Sequence, residues 1–122
     1  MKLKKLPYEL TVCKVSNVSD INLDTDICFV GKTDEEISLV CRTKDTPADT
    51  AERDGGWRGF RIEGVLDFSL IGILSKLSAI LAENKSGIFA VSTFNTDYIL
   101  VKAKNFDHAM TVLAAEGYEV AD

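Results

Sequence analysis

The sequence predicts an α+β fold, a strand–helix–strand–strand–helix–strand unit preceded by a smaller, strand-rich half. Three observations carry this prediction. Apolar residues recur at helical spacing in two segments, Leu70 to Leu81 and Phe106 to Leu113. Short β-rich runs flank those segments, with IFAV and YILV joined by the polar STFNTD. The stretch TKDTPADTAERDGG, Thr43 to Gly56, is the least hydrophobic part of the chain and separates residues 1–50 from residues 51–122.

In the front half, YELTVCKV (Tyr8 to Val15) reads as a strand bounded ahead by Pro7, and NVSDINLDTD as a turn-rich segment. CFVG (Cys28 to Gly31) and ISLVC (Ile37 to Cys41) are two further strands joined by KTDEE. In the back half, Phe60 and Ile62 alternate with Arg61 and Glu63, as in a half-buried strand. A helix follows, with Leu70, Ile73, Leu74, Leu77, Ile80 and Leu81 on one face, Ser69 as its N-cap and Gly87 as its stop. GIFAVST and DYILVKA are paired strands. Asn105 then caps a second helix with Phe106, Ala109, Met110 and Leu113 facing inward, Gly117 ends it, and YEV is a final strand. The resulting order, βαββαβ, is the ferredoxin-like split unit.

Hydrophobic residues make up 46% of the chain and charged residues 27%, an ordinary globular balance. With 14 basic against 19 acidic residues the net charge is -5, which argues against nucleic acid as a partner. MKLKK is basic but precedes no long apolar run, so neither a signal peptide nor a membrane anchor is expected. Cys13, Cys28 and Cys41, odd in number and without CxxC spacing, read as reduced, buried thiols of a cytoplasmic protein.

Few residues carry the pattern of a catalytic or metal site. Gly31-Lys32-Thr33 resembles the end of a phosphate-binding loop, but Asp26 stands where that motif requires glycine. His108 is the only histidine and has no acid or thiol at a defined spacing. Asp67 and Asp97 belong to the same end of the expected sheet without forming a recognisable acid/base pair. No catalytic residue, metal ligand or cofactor is therefore assigned.

What remains is a meeting place. If the first helix returns the chain so that the first two strands run parallel, the loop before that helix and the STFNTD hairpin share one edge. Free N–H groups at the helix start suit a carboxylate, and Asp97 would face an ammonium or guanidinium group. That pairing is what a free amino acid requires. The ordinary alternative is that Ser92 and Thr93 make strand and turn hydrogen bonds and Asp97 caps the turn.

Residues 57–120 resemble the ACT domain, an amino-acid-binding regulatory module. The likeness rests on Phe68-Ser69-Leu70-Ile71-Gly72-Ile73-Leu74, Leu81-Ala82-Glu83 and Gly87-Ile88-Phe89. These stand where the family has its Asp-x-Pro-Gly-x-Leu loop, the end of its helix and its following strand. The whole chain is similar to small stand-alone proteins of two ACT-like halves related to cytosolic arginine sensors, through GWRGFRIEGVLDFSLIGIL and IFAVSTFNTDYILVK. The resemblance implies backbone contacts from Ser69, Leu70, Ile71, Gly72 and Ile73 to a ligand. It implies polar or shape contacts from Ser92, Thr93, Phe94 and Asn95, and places Asp97 opposite a cationic group. Ser69 and Ile71 depart from the aspartate and proline common in the family, which makes the loop less polar.

The expected function is thus non-catalytic: binding of a free amino acid or similar small molecule, with regulation through the arrangement of a homodimer or of a separate regulated protein. The alternative is an interaction module that binds protein along its sheet edge and no small ligand.

Overall fold

Phe60 and Ile62 are fully buried while Arg61 between them is only half-buried, the alternation that one covered sheet face imposes on a strand. The computed structural model describes residues 1–63 and 72–122. Its elements are β1 (Lys2–Lys5), β2 (Leu10–Val15), a 3-10 turn (Val18–Asp20), β3 (Cys28–Lys32), β4 (Ile37–Arg42) and a second 3-10 turn (Thr43–Asp45). There follow β5 (Glu52–Ile62), α1 (Ile73–Glu83), β6 (Phe89–Ser92), β7 (Asp97–Lys102), α2 (Ala103–Ala115) and β8 (Glu119–Ala121). They form two compact units, Tyr8–Trp57 and Met1–Pro7 with Arg58–Asp122.

The second unit contains the expected βαββαβ order, with strands arranged β6–β7–β5–β1–β8. β1 is the addition. It pairs antiparallel with β5 (Leu3 opposite Ile62) and parallel with β8 (Leu3 opposite Val120), between the first and last strands of the split unit. Only Leu3 of β1 is buried, so the strand has too little alternation to be seen in MKLKK. Leu77, Ile80 and Leu81 of α1 and Phe106, Ala109, Met110 and Leu113 of α2 pack on Leu3, Phe60, Ile62, Ile99 and Val101. Ile73 and Leu74 cover the edge of that core.

The helix ends differ in part from expectation. Ser69 and Leu70 lie outside the described residues, and the N-cap of α1 is Gly72, with φ 84°. A Cβ there would meet nothing within 4 Å, so the constraint on Gly72 is conformational alone. Gly72→Ala is expected to lower stability by about 1 kcal/mol, read as a drop of a few degrees in the melting temperature. At its other end α1 stops at Asn84 rather than Gly87. Lys85 takes the left-handed turn at φ 63°, and the Ser86 N–H closes it onto the Leu81 carbonyl at 2.9 Å. Asn105 is not the cap of α2. Strand β7 passes directly into the helix, Lys102 is the N-cap, and Asn105 sits in the first turn. Gly117 ends α2 as expected, at φ 99°, and the Tyr118 N–H returns to the Leu113 carbonyl at 3.1 Å.

The first unit repeats the strand plan in reduced form. Its order is β3–β4–β2–β5 with antiparallel neighbours throughout, which is the split-unit order, and each helix position holds a 3-10 turn of three residues. Cys13, Val15, Leu39 and Cys41 form its core with Ile21, Cys28 and Ile37 against them, so Cys13 and Cys41 are buried as expected, whereas Cys28 at the edge of the cluster is only half-buried. The polar stretch 43–56 is not wholly a linker, because Glu52–Gly56 is the first half of β5. Charged residues and glycines disfavour a strand, but β2 supplies the pairing partner, with Cys13 opposite Arg53 and Lys14 opposite Glu52. Gly31 and Lys32 end β3, and Thr33 opens a hairpin by accepting the Glu35 and Glu36 N–H groups at 3.1 and 3.2 Å. A phosphate loop leads into a helix, and here the chain turns back as a strand.

Candidate functional site

The STFNTD hairpin is built on two threonines. Ser92 and Asp97 are the last pair of the β6–β7 ladder. Beyond them the Thr93 N–H donates to the Thr96 carbonyl at 2.8 Å. The Thr93 hydroxyl donates to the same carbonyl at 2.8 Å and accepts the Thr96 N–H at 3.3 Å. Neither Phe94 nor Asn95 has positive φ, so the corner needs no glycine. Thr93 thus uses its hydroxyl within the turn. Ser92 and Asn95 are exposed, Asp97 is half-buried, and Phe94 at the tip is 85% exposed.

Thr96 ties this hairpin to the rest of the unit. It is buried, and its hydroxyl donates to the Ile62 carbonyl at 2.6 Å. Ile62 is the last residue of β5, so the hairpin is fixed to the point where the chain leaves for α1. The next residue, Glu63, donates its N–H to the Lys2 carbonyl at 2.8 Å. Its carboxylate accepts from Arg61 Nε at 3.0 Å, and that bond holds the Glu63 carboxyl below the usual carboxylate range. The guanidinium is stabilised as a cation by Glu63 first and by Tyr98 second, against the cost of its partial burial. Asp97 stands two and four residues before the core residues Ile99 and Val101 on β7, which places it on the same sheet face, the one packed against α1 and α2.

Of the residues proposed at the helix start, Ser69, Leu70 and Ile71 lie outside the described residues, as does Asp67. Gly72 caps α1, accepting the Lys76 N–H at 2.9 Å, and Ile73 opens the helix. A cavity of about 280 Å³ adjoins this helix start, lined by Met1, Ile73, Lys76, Glu116, Gly117 and Tyr118. Among the described residues, Ile73 is the one sequence-predicted residue in its wall. The other described wall residues are Met1 at the amino terminus, Lys76 of α1, and Glu116, Gly117 and Tyr118 between α2 and β8, and among the described residues none of the hairpin lines it.

Three side chains at this edge were not singled out from the sequence. Thr96 was visible in the Thr-x-x-Thr spacing with Thr93, which marks a hydroxyl-capped turn. Arg61 and Glu63 stand two apart across the end of β5, the spacing that puts both on one side of the extended chain. His108 is exposed on α2. Among the described residues no group of three His, Cys, Asp or Glu is placed to hold a metal ion. None of their helices is long and apolar enough to cross a membrane.

These features define a ferredoxin-like α+β protein. The sequence profile described as the ACT domain matches residues 52–115, more than half of the chain, and the chain belongs to the ACT domain family. It is similar over 98% of its length to a protein from Agobacterium tumefaciens solved by X-ray crystallography, with 30% identity, 90% of that chain covered and a TM-score of 0.85. A Vibrio cholerae protein of unknown function, described as a possible transport protein, aligns over 99% of this chain and 89% of its own at 14% identity and a TM-score of 0.74. The aspartate kinase of Clostridium acetobutylicum, described as an allosteric enzyme, aligns over 91% of this chain and 33% of its own at 12% identity and a TM-score of 0.63. The last two likenesses are of fold. No curated protein matches the chain. ACT domains are regulatory modules that bind small molecules, and this chain is of that class.

Proposed function

We propose that the chain is a non-catalytic cytoplasmic sensor that binds a free amino acid, or a molecule with the same paired charges, at the edge where α1 begins and the β6–β7 hairpin turns. Main-chain N–H groups of Ser69, Leu70, Ile71, Gly72 and Ile73 would take the ligand carboxylate. Asp97 would take its ammonium or a cationic side chain, and Ser92, Thr93, Phe94 and Asn95 would shape the opening. The observation that carries this reading is the buried Thr96–Ile62 hydrogen bond, which holds the hairpin against the end of β5 leading to α1. A ligand that touches two such units would favour one arrangement of a homodimer, or of a separate regulated protein, by its differential affinity for that arrangement. A ligand with a cationic side chain, as in the arginine sensors, would make the fullest use of Asp97.

The test is thermal unfolding of the purified protein against the twenty amino acids, for wild type and Asp97→Ala. Ligand at about a hundred times its Kd adds roughly 2.7 kcal/mol, which is a rise of several degrees in melting temperature. The expected outcome is a rise with one amino acid or a related few that disappears in Asp97→Ala. No rise with any of them would refute the reading.

The second reading, a protein-binding module without a small ligand, draws on β6. Among the described residues β6 has β7 as its one strand neighbour, which makes it an edge strand of this unit. It predicts that Asp97→Ala leaves binding behaviour unchanged.

A further inference from the structure

The three cysteines of the first unit are not equivalent. Cys28 and Cys41 stand directly opposite each other in the antiparallel β3–β4 ladder, with Phe29 opposite Val40, Val30 opposite Leu39, Gly31 opposite Ser38 and Lys32 opposite Ile37. The register continues into the turn, where the Thr33 N–H donates to the Glu36 carbonyl at 2.9 Å. In such a ladder, hydrogen-bonded and non-hydrogen-bonded pairs alternate. Counting back from the bonded Thr33–Glu36 pair, Gly31–Ser38 and Phe29–Val40 are bonded. Lys32–Ile37, Val30–Leu39 and Cys28–Cys41 are not. Pairs of the second kind have Cα atoms only about 4.5 Å apart, inside the roughly 4.4–6.8 Å that a disulfide spans. Directly opposed side chains also leave the sheet on the same face, and both thiols belong to one packed cluster. Cys13 faces Leu39 on β2 and is displaced by two residues from Thr11, which is the residue opposite Cys41.

We infer that Cys28 and Cys41 form a reversible modification site, a vicinal cross-strand dithiol that closes to a disulfide by exchange with a small disulfide such as oxidised glutathione. Cys28 is the attacking residue, because it is partly exposed while Cys41 is buried, at 2%. Its thiolate displaces one thiolate from the small disulfide and leaves a mixed disulfide on Cys28. Cys41 then loses its proton to solvent, and its sulfur attacks the Cys28 sulfur and expels the second small thiolate. Two protein thiols are oxidised by two electrons, and the small disulfide is reduced to two thiols. Burial pushes both cysteines up, Cys41 against a lowering contact from Thr46, so exchange is slow compared with that of an exposed thiol. Once closed, the bond links the two strands of the hairpin and restricts the unfolded chain.

The test equilibrates the purified full chain with defined ratios of oxidised and reduced glutathione, alkylates the remaining thiols, and maps the peptides without reduction. The expected result is a fall from three alkylatable thiols to one, a Cys28–Cys41 peptide pair that reductant reverses, and a melting temperature several degrees higher when oxidised. Cys13→Ser is expected to keep this behaviour, and Cys28→Ser to abolish it. Three thiols remaining under oxidising ratios, a stable glutathione adduct at Cys28, or a bond involving Cys13 would each overturn the proposal. The wild-type peptide map decides the matter even if a variant fails to fold. The outcome is separate from amino-acid binding, since every residue involved lies in the first unit.

Discussion

Phe106→Ala is expected to remove about 3–5 kcal/mol of stability, as for other large-to-small substitutions of a buried phenylalanine. The ring is 2% exposed, among Leu3, Phe60, Leu77 and Leu81 of one core. It also lies under the Arg58 guanidinium, whose central carbon is 4.4 Å from the ring centroid. Arg58 donates to the Leu6 carbonyl at 3.0 Å, while its Nε is buried without a hydrogen-bond partner. The negative face of the ring lies against that charge. Truncation would therefore open a cavity and strip a half-buried cation of its neighbour in one step. A domain of this size holds only about 5–15 kcal/mol in total, so the variant should unfold at a much lower urea concentration. A loss below about 1 kcal/mol would mean that the surrounding core collapses into the space, contrary to the packing described. Phe94→Ala is the matched control. The same residue type at 85% exposure is expected to shift stability by no more than about 0.5 kcal/mol.

Thr96→Val is expected to cost about 1–3 kcal/mol and to abolish the amino-acid-dependent stabilisation proposed above. Valine keeps the shape of threonine but leaves the Ile62 carbonyl without its 2.6 Å donor in a buried position. The hairpin would then lose its side-chain tie to the exit of β5, while β7 stays paired with β5 and the turn stays closed by Thr93. Thr96→Ser restores the donor and should recover most of the ligand response. Urea unfolding measures the first effect, and melting temperature with and without the stabilising amino acid measures the second. If Thr96→Val loses stability and still responds fully to ligand, the bond supports the fold and does not position a site.

Local pattern made much of this legible. Leu77, Ile80 and Leu81, and Phe106, Ala109, Met110 and Leu113, stand at helical spacing because one face must be buried, and all seven are buried in the structure. Paired strands around STFNTD followed from apolar runs flanking a polar corner, and their ladder is present from Phe89–Leu100 to Ser92–Asp97. Helix ends were harder. Lys102 and Lys85 carry no capping signature, and each occupies its position because the adjoining strand or turn dictates the path of the main chain. The candidate site was visible as a cluster of polar residues, but not in its bonding. Thr93 and Thr96 look alike in sequence, yet one closes its own turn and the other reaches across to Ile62.

By itself the sequence determined the α+β class, the βαββαβ order and the faces the helices bury, because hydrophobic periodicity is a local consequence of helix and strand geometry. It also carried membership of the ACT domain family, in segments that a family profile recognises. Tertiary structure alone decided that β1 lies between β5 and β8, that Glu52–Gly56 pairs with β2, and that Cys28 faces Cys41. Each of these depends on which main-chain N–H meets which carbonyl between distant parts of the chain. Main-chain groups are the same in every residue but proline, so pairing of this kind leaves little trace in side-chain pattern.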